Sequence, residues 1–144
     1  MPHSYNKIWL HVIFSTKNWQ PLIIQPAEKR IYGFLINELK EMGCPVRIAN
    51  GMPDHVHLLF LLNPNRASAD VIKQIKGSSA RFINQEKITP FEFGWQTGYA
   101  AFSVSESQLD KTYYYIKNQK EHHQYKAFEE EYKELIELYK ATES

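Results

Sequence analysis

The sequence predicts an α+β fold: one antiparallel sheet with helices on one face, plus two C-terminal helices. Three observations predict it. Four short stretches, 7–15, 45–50, 55–62 and 97–104, read as strands, two of them by clear alternation. Two longer stretches between them place apolar residues at helical spacing. The resulting order, β-α-β-β-α-β and then two helices, is the split βαβ, ferredoxin-like (RRM-like) plan, whose first and third strands lie side by side at the centre.

Each element has its own warrant. In the first strand Ile8, Leu10, Val12 and Phe14 face one way, and Lys7, Trp9, His11, Ile13 and Ser15 the other. A polar loop leads to Pro26, suited to a first helical position, and Ile31, Phe34, Leu35, Glu38 and Leu39 follow at helical spacing until Gly43 and Pro45 stop the helix. Met52-Pro53-Asp54 turns the short second strand into the third, His55 to Leu62. Ser68 is placed to cap a helix from about Ala69 to Gln85, with Val71, Ile72, Ile75, Phe82 and Ile83 inward. In the fourth strand Ala100, Phe102 and Val104 alternate with Tyr99, Ala101 and Ser103. Ser105-Glu106-Ser107-Gln108 has a capping-box pattern, opening a helix over about 106–120. A last amphipathic helix over about 125–141 turns Phe128, Tyr132, Leu135, Ile136 and Tyr139 to its apolar side, and its glutamates read as a solvated face. With helices on one face of the sheet, the other is expected to be open.

Composition narrows the classes. At 144 residues the chain fits one domain, 1–144, and 43% hydrophobic residues suffice for a core. No run of eighteen apolar residues supports a membrane span, and the first residues lack a signal-peptide profile. The single cysteine, Cys44, excludes an internal disulfide framework and reads as a buried thiol of a cytoplasmic protein. Net charge is only +1, but unevenly spread: residues 1–126 hold 15 Lys+Arg against 10 Asp+Glu, and 127–144 hold two against six. A mildly basic body permits contacts to a few phosphates.

Two constellations carry chemistry. Asp54-His55-Val56-His57-Leu58-Leu59 puts His55 and His57 two apart on a strand, so their imidazoles project in parallel from a rigid support and can share one metal ion. The bland alternative is a pair of surface histidines. Leu59 and Leu61 weaken it by continuing the same face as an apolar one, where a buried imidazole calls for a partner. His11 faces the same side from the neighbouring strand and can support the pair. On the penultimate helix, Lys111, Tyr115, Gln119 and His122 share a polar face, while Leu109, Tyr113 and Ile116 form the apolar stripe. That pairs Tyr115 with an amide one turn on, a reasonable ligand for a hard cation. Taken alone, it is also what an ordinary exposed helix face looks like.

Taken together, Pro53-Asp54-His55-Val56-His57-Leu58-Leu59, Gly98-Tyr99, Ser103-Val104-Ser105 and Tyr115-Ile116-x-x-Gln119-x-x-His122-His123 resemble the single-tyrosine HUH transposases of small bacterial insertion sequences, the REP-associated tyrosine transposases included. Each motif is short; their order and spacing across nearly the whole chain carry the resemblance. It implies that His55, His57 and Gln119 bind Mg²⁺ or Mn²⁺. It implies that Tyr115 attacks a backbone phosphate of single-stranded DNA, becoming joined to the 5′ phosphate and leaving a free 3′-OH. It also implies a homodimer acting on DNA hairpins at the ends of an insertion sequence. Lys7, Trp9, Lys73, Lys76, Arg81 and Lys111 are candidates for DNA contact, against the alternative of solvated surface residues. No carboxylate stands out as a general base.

Rival readings differ at named positions. A histidine-triad nucleotide hydrolase needs a third histidine where Leu59 stands. A replication or relaxase-type nuclease often carries its tyrosine ahead of the histidines, whereas Tyr115 follows them. A non-catalytic ferredoxin-like nucleic-acid-binding module would show stacking aromatics on an open sheet face and no metal.

Overall fold

Alternation in the first and third strands decides the centre of the sheet, and the helices follow from it. A computed structural model of the chain describes residues 5–122 and 128–141; among these the side chains of His122, Phe128 and 138–141 lie outside the described set. In chain order the elements are β1 (Trp9–Ser15), α1 (Ala27–Glu41), β2 (Val46–Met52), β3 (His55–Leu61), α2 (Ser68–Gln85), β4 (Ala100–Val104), α3 (Leu109–Lys117), α4 (Gln119–His122) and α5 (Phe128–Ala141). The sheet order is β2-β3-β1-β4, antiparallel throughout, so the expected α+β plan is borne out with β1 and β3 central. Ile13 lies opposite His57, and His11 opposite Leu59.

One sheet face builds the main core. Leu10, Val12 and Phe14 of β1 and Val56, Leu58 and Phe60 of β3 pack against Ile31, Leu35 and Leu39 of α1 and Val71, Ile72, Ile75 and Ile83 of α2. Gly43, with φ of 75°, ends α1 in the left-handed region that favours glycine.

The second face is not open, which corrects the sequence reading. Leu135 of α5 packs on Ile13 and Ala100, with Phe102, Tyr115 and Tyr132 around them. Leu109 and Ile116 of α3 pack on Leu59 and Val104, with Trp9, Ile48, Tyr113 and Tyr115. Ile13 and Leu59 make that face apolar as well, and apolar area of this extent is stabilised by about 25 cal/mol per Å² when covered. The surface that a stacking module would use is therefore filled. Trp9, a candidate for base stacking, is half-buried against that second cluster.

Element ends shift for local reasons. β1 starts at Trp9, and Ile8 is 43% exposed rather than inward. Ser68 is the first residue of α2 rather than its cap; Ala67 precedes it without a side-chain cap. The Ser105 capping box does not form: a short 3-10 turn spans Glu106–Gln108, and Ser105 Oγ lies 3.2 Å from Ser107 Oγ. The tyrosine helix is interrupted at Asn118, so α3 and α4 replace one continuous helix. No helix among the described residues is long and apolar enough to cross a membrane.

Gly51 shows how tightly the β2–β3 hairpin seats His55. A Cβ there would run into the backbone of His55 and Val56. Gly51→Ala is expected to cost roughly 2–3 kcal/mol, as overpacking against unyielding backbone does, read as a fall in the urea midpoint.

Candidate metal and tyrosine centre

The period of two along β3 sends Val56 and Leu58 to the main core and His55, His57 and Leu59 to the second face. Covered there by α3 and α5, both histidines have no solvent exposure. Burial of this kind demands hydrogen bonds. His55 Nδ1 lies 2.8 Å from Asp54 Oδ1; a carboxylate only accepts, so the proton belongs on Nδ1 and Nε2 turns inward. His57 Nδ1 lies 2.8 Å from His11 Nε2, which likewise leaves Nε2 as the nitrogen facing the cluster. His11 is buried, and burial first, then the charge of His57, hold its pKa well below the ordinary histidine value. A neutral His11 can accept from His57 Nδ1. The pattern, outer nitrogen bonded and inner nitrogen presented, is how metal-binding histidines are oriented.

Helix geometry brings the second pair of groups. Tyr115 near the end of α3 and Gln119 at the start of α4 lie four residues apart and face the same way across the break at Asn118. Gln119 Oε1 lies 3.2 Å from His55 Nε2. The Tyr115 ring is 5.8 Å from that of His57 and 6.3 Å from that of His11, centroid to centroid. All four side chains converge within a single chain.

The break is itself held in place. Asn50 Nδ2 on β2 donates to the carbonyls of Ile116 at 2.9 Å and Lys117 at 3.2 Å, satisfying the end of α3. Lys120 Nζ donates in turn to Asn50 Oδ1 at 3.0 Å and Gly51 O at 3.1 Å, and pairs with Glu28 at 2.9 Å. Asn50→Ala is expected to lower stability by about 1–2 kcal/mol. A thermal melt reads the loss.

Sequence reasoning missed Glu131. It sits on α5 with 1% exposure, its Oε1 accepting hydrogen bonds from the Tyr115 hydroxyl and, at 2.9 Å, from Gln119 Nε2. His57 Nε2 is 3.4 Å from Oε1, and His55 Nε2 is 3.9 Å from Oε2. Burial alone pushes the Glu131 carboxyl up, but His57, Tyr115 and Gln119 outweigh it and hold its pKa well below the usual range. Burial first, and then Glu131 itself, push the Tyr115 phenol well above its ordinary value. The solvated reading of the acidic helix is thus corrected at this residue. The legible signal was position: Glu131 lies four residues before Leu135 and three after Phe128, on the apolar stripe.

His55, His57 and Glu131 form a group whose ligand atoms all lie within 4.8 Å of one another. Donors bound to one ion at roughly 2.1 Å sit about 3 to 4.2 Å apart, so the group fits a divalent cation with small adjustments. Two imidazoles, a carboxylate and an amide are a suitable donor set for one.

The structure does not gather the other sequence candidates here. Lys73 and Arg81 are exposed on α2, in the layer behind the sheet. Lys76 Nζ donates to the carbonyls of Gln96 at 2.8 Å and Gly98 at 2.7 Å and lies over the Phe14 ring, so its ammonium ties α2 to the loop before β4. Lys7 is exposed 3.8 Å from Glu106, and Lys111 is exposed on α3. The His122 side chain and His123 lie outside the described residues.

Comparison with known proteins bears on the family and the fold. The family model described as transposase, IS200-like, matches residues 4–119. The ISDra2 transposase TnpA of Deinococcus radiodurans is 29% identical over 114 residues, covering 76% of this chain and 81% of that protein. A crystal structure assigned as a transposase from Deinococcus radiodurans R1 superposes with a TM-score of 0.66 at 26% identity, covering 83% of this chain and 95% of that one. A REP-associated tyrosine transposase, solved bound to a REP hairpin, shares the fold with a TM-score of 0.63 at 12% identity, covering 85% and 73%. A family match over most of the chain, on the stretch that carries both histidines, the tyrosine and the glutamine, leads to one assignment: the chain belongs to the IS200-like transposases.

Proposed function

We propose that Tyr115 is the nucleophile of a single-stranded DNA strand transferase and that His55, His57 and Gln119 hold a divalent ion, Mg²⁺ or Mn²⁺, beside the scissile phosphate. The observation that carries this reading is the convergence of the Tyr115 hydroxyl, the Gln119 amide and two inward-facing imidazoles at one buried centre. When bound, the ion polarises the phosphate and neutralises charge developing on its oxygens. Two imidazole ligands favour Mn²⁺ over Mg²⁺ in affinity. His11 and Asp54 act through the two histidines, fixing tautomer and ring orientation.

The chain's own part is nucleophile and geometry. Tyr115 Oη forms a bond to phosphorus while the bond from phosphorus to the 3′ oxygen breaks, giving a 5′-phosphotyrosine and a 3′-OH. The covalent link keeps the phosphodiester energy for rejoining to another 3′-OH. Glu131 accepts a hydrogen bond from the phenol and aims it; the phenol's proton leaves to solvent as the bond to phosphorus forms, and the departing 3′ oxygen takes one up. Lys7 and Lys111 are proposed to meet the DNA near the tyrosine helix, and Lys73 and Arg81 farther along the strand. The substrate is proposed to be hairpin DNA at the ends of an insertion sequence, supported by the hairpin that the REP-associated relative binds. Two copies would suit exchange between two ends, and sedimentation of the DNA complex reads the copy number.

The test is incubation of the protein with Mn²⁺ and single-stranded oligonucleotides copied from the flanks of its gene. A covalent adduct should form, depend on divalent metal, and map by mass spectrometry to the peptide carrying Tyr115. An adduct on another residue, or one formed equally in chelator, would overturn the reading.

A further inference from the structure

We propose that Glu131 is a ligand of the same ion, so that ion binding and the seating of helix α5 on the sheet are one linked event. This rests on the metal reading of the site and adds to it a ligand from a separate element.

Burial comes first. Along α5, Glu129, Glu130, Lys133, Glu134 and Glu137 are exposed, whereas Glu131 and Leu135 are buried. A carboxylate so placed is costly unless its charge is met. Distance comes second: Glu131 oxygens lie 3.4 Å from His57 Nε2 and 3.9 Å from His55 Nε2, already in the spacing of neighbouring donors on one cation. Charge comes third. His55, His57 and Gln119 bring none when neutral, while Glu131 and the Asp54 carboxylate behind His55 bring two negatives. A divalent cation matches that sum.

Leu135 and Tyr132 of α5 pack against Ile13, Ala100 and Phe102, beside the bonds of Glu131 itself. A ligand bond from Glu131 to the ion adds to that grip. Linkage makes the effect reciprocal: the factor by which a seated α5 tightens ion binding equals the factor by which the ion favours seating.

The experiment pairs Mn²⁺ calorimetry with amide hydrogen exchange of residues 128–141, on the full chain without DNA. In wild type, Mn²⁺ should slow exchange across α5 by about tenfold or more. Glu131→Gln keeps the size and an acceptor for Tyr115; it should weaken Mn²⁺ binding by at least about tenfold and abolish the slowing. Leu135→Ala loosens α5 with the ligand intact; it should weaken Mn²⁺ binding yet retain the slowing. Wild-type affinity in Glu131→Gln, or α5 exchange indifferent to Mn²⁺, would sink the proposal. If that happens while binding still depends on His57, only the α5 linkage falls. If binding is also untouched by His57→Ala, the metal reading falls with it.

Discussion

Tyr115→Phe should form no covalent adduct, with DNA cleavage falling by at least about 10⁴-fold, the scale seen when a nucleophile is removed from a catalytic unit. The fold should survive, because the ring packs among Leu59, Ile13 and Leu135 and a phenylalanine fills the same space. The hydroxyl's hydrogen bond to Glu131 is lost, at about 1–3 kcal/mol for a charged acceptor, so a melt should show a shift of a few degrees. The two neighbouring tyrosines cannot stand in. Each residue turns a helix by about 100°; Tyr114 is 56% exposed, and Tyr113 stacks under the Arg47 guanidinium. An adduct in Tyr115→Phe at wild-type rate would move the nucleophile elsewhere.

His57→Ala should weaken Mn²⁺ binding by about 100-fold or more, since even outer-shell partners of metal-binding histidines are worth 10–100-fold. His57 meets four members of the centre: His11 through Nδ1, Glu131 through Nε2, and the rings of Tyr115 and His55 in T-shaped contacts. Its removal takes a ligand from the ion and a close neighbour from the buried Glu131 carboxylate. DNA cleavage should fall with metal affinity and recover in part at high Mn²⁺, which separates a metal defect from a folding defect. Unchanged Mn²⁺ affinity in calorimetry would place the metal away from β3 and remove the basis of the mechanism.

The reach of the sequence is set by how local each cause is. Strand periodicity is a backbone property, so the parallel aim of His55 and His57 and the core side of Val56 and Leu58 could be read directly. Helical spacing paired Tyr115 with Gln119 for the same reason. Strand order followed from element order, and the shared motifs pointed to the family that the match over residues 4–119 establishes. What tertiary structure alone decided depends on partners far along the chain. The second sheet face is covered because Leu109, Ile116 and Leu135 meet Leu59, Val104 and Ile13, contacts that no local window contains. The break at Asn118 is anchored by Asn50, more than sixty residues earlier. Lys76 reads as a surface cation until Gln96 and Gly98 present their carbonyls. Glu131 reads as one more glutamate of an acidic helix, since a carboxylate belongs in water unless something meets its charge. Only folding brings His57, Gln119 and Tyr115 to it, and that long-range meeting completes the centre.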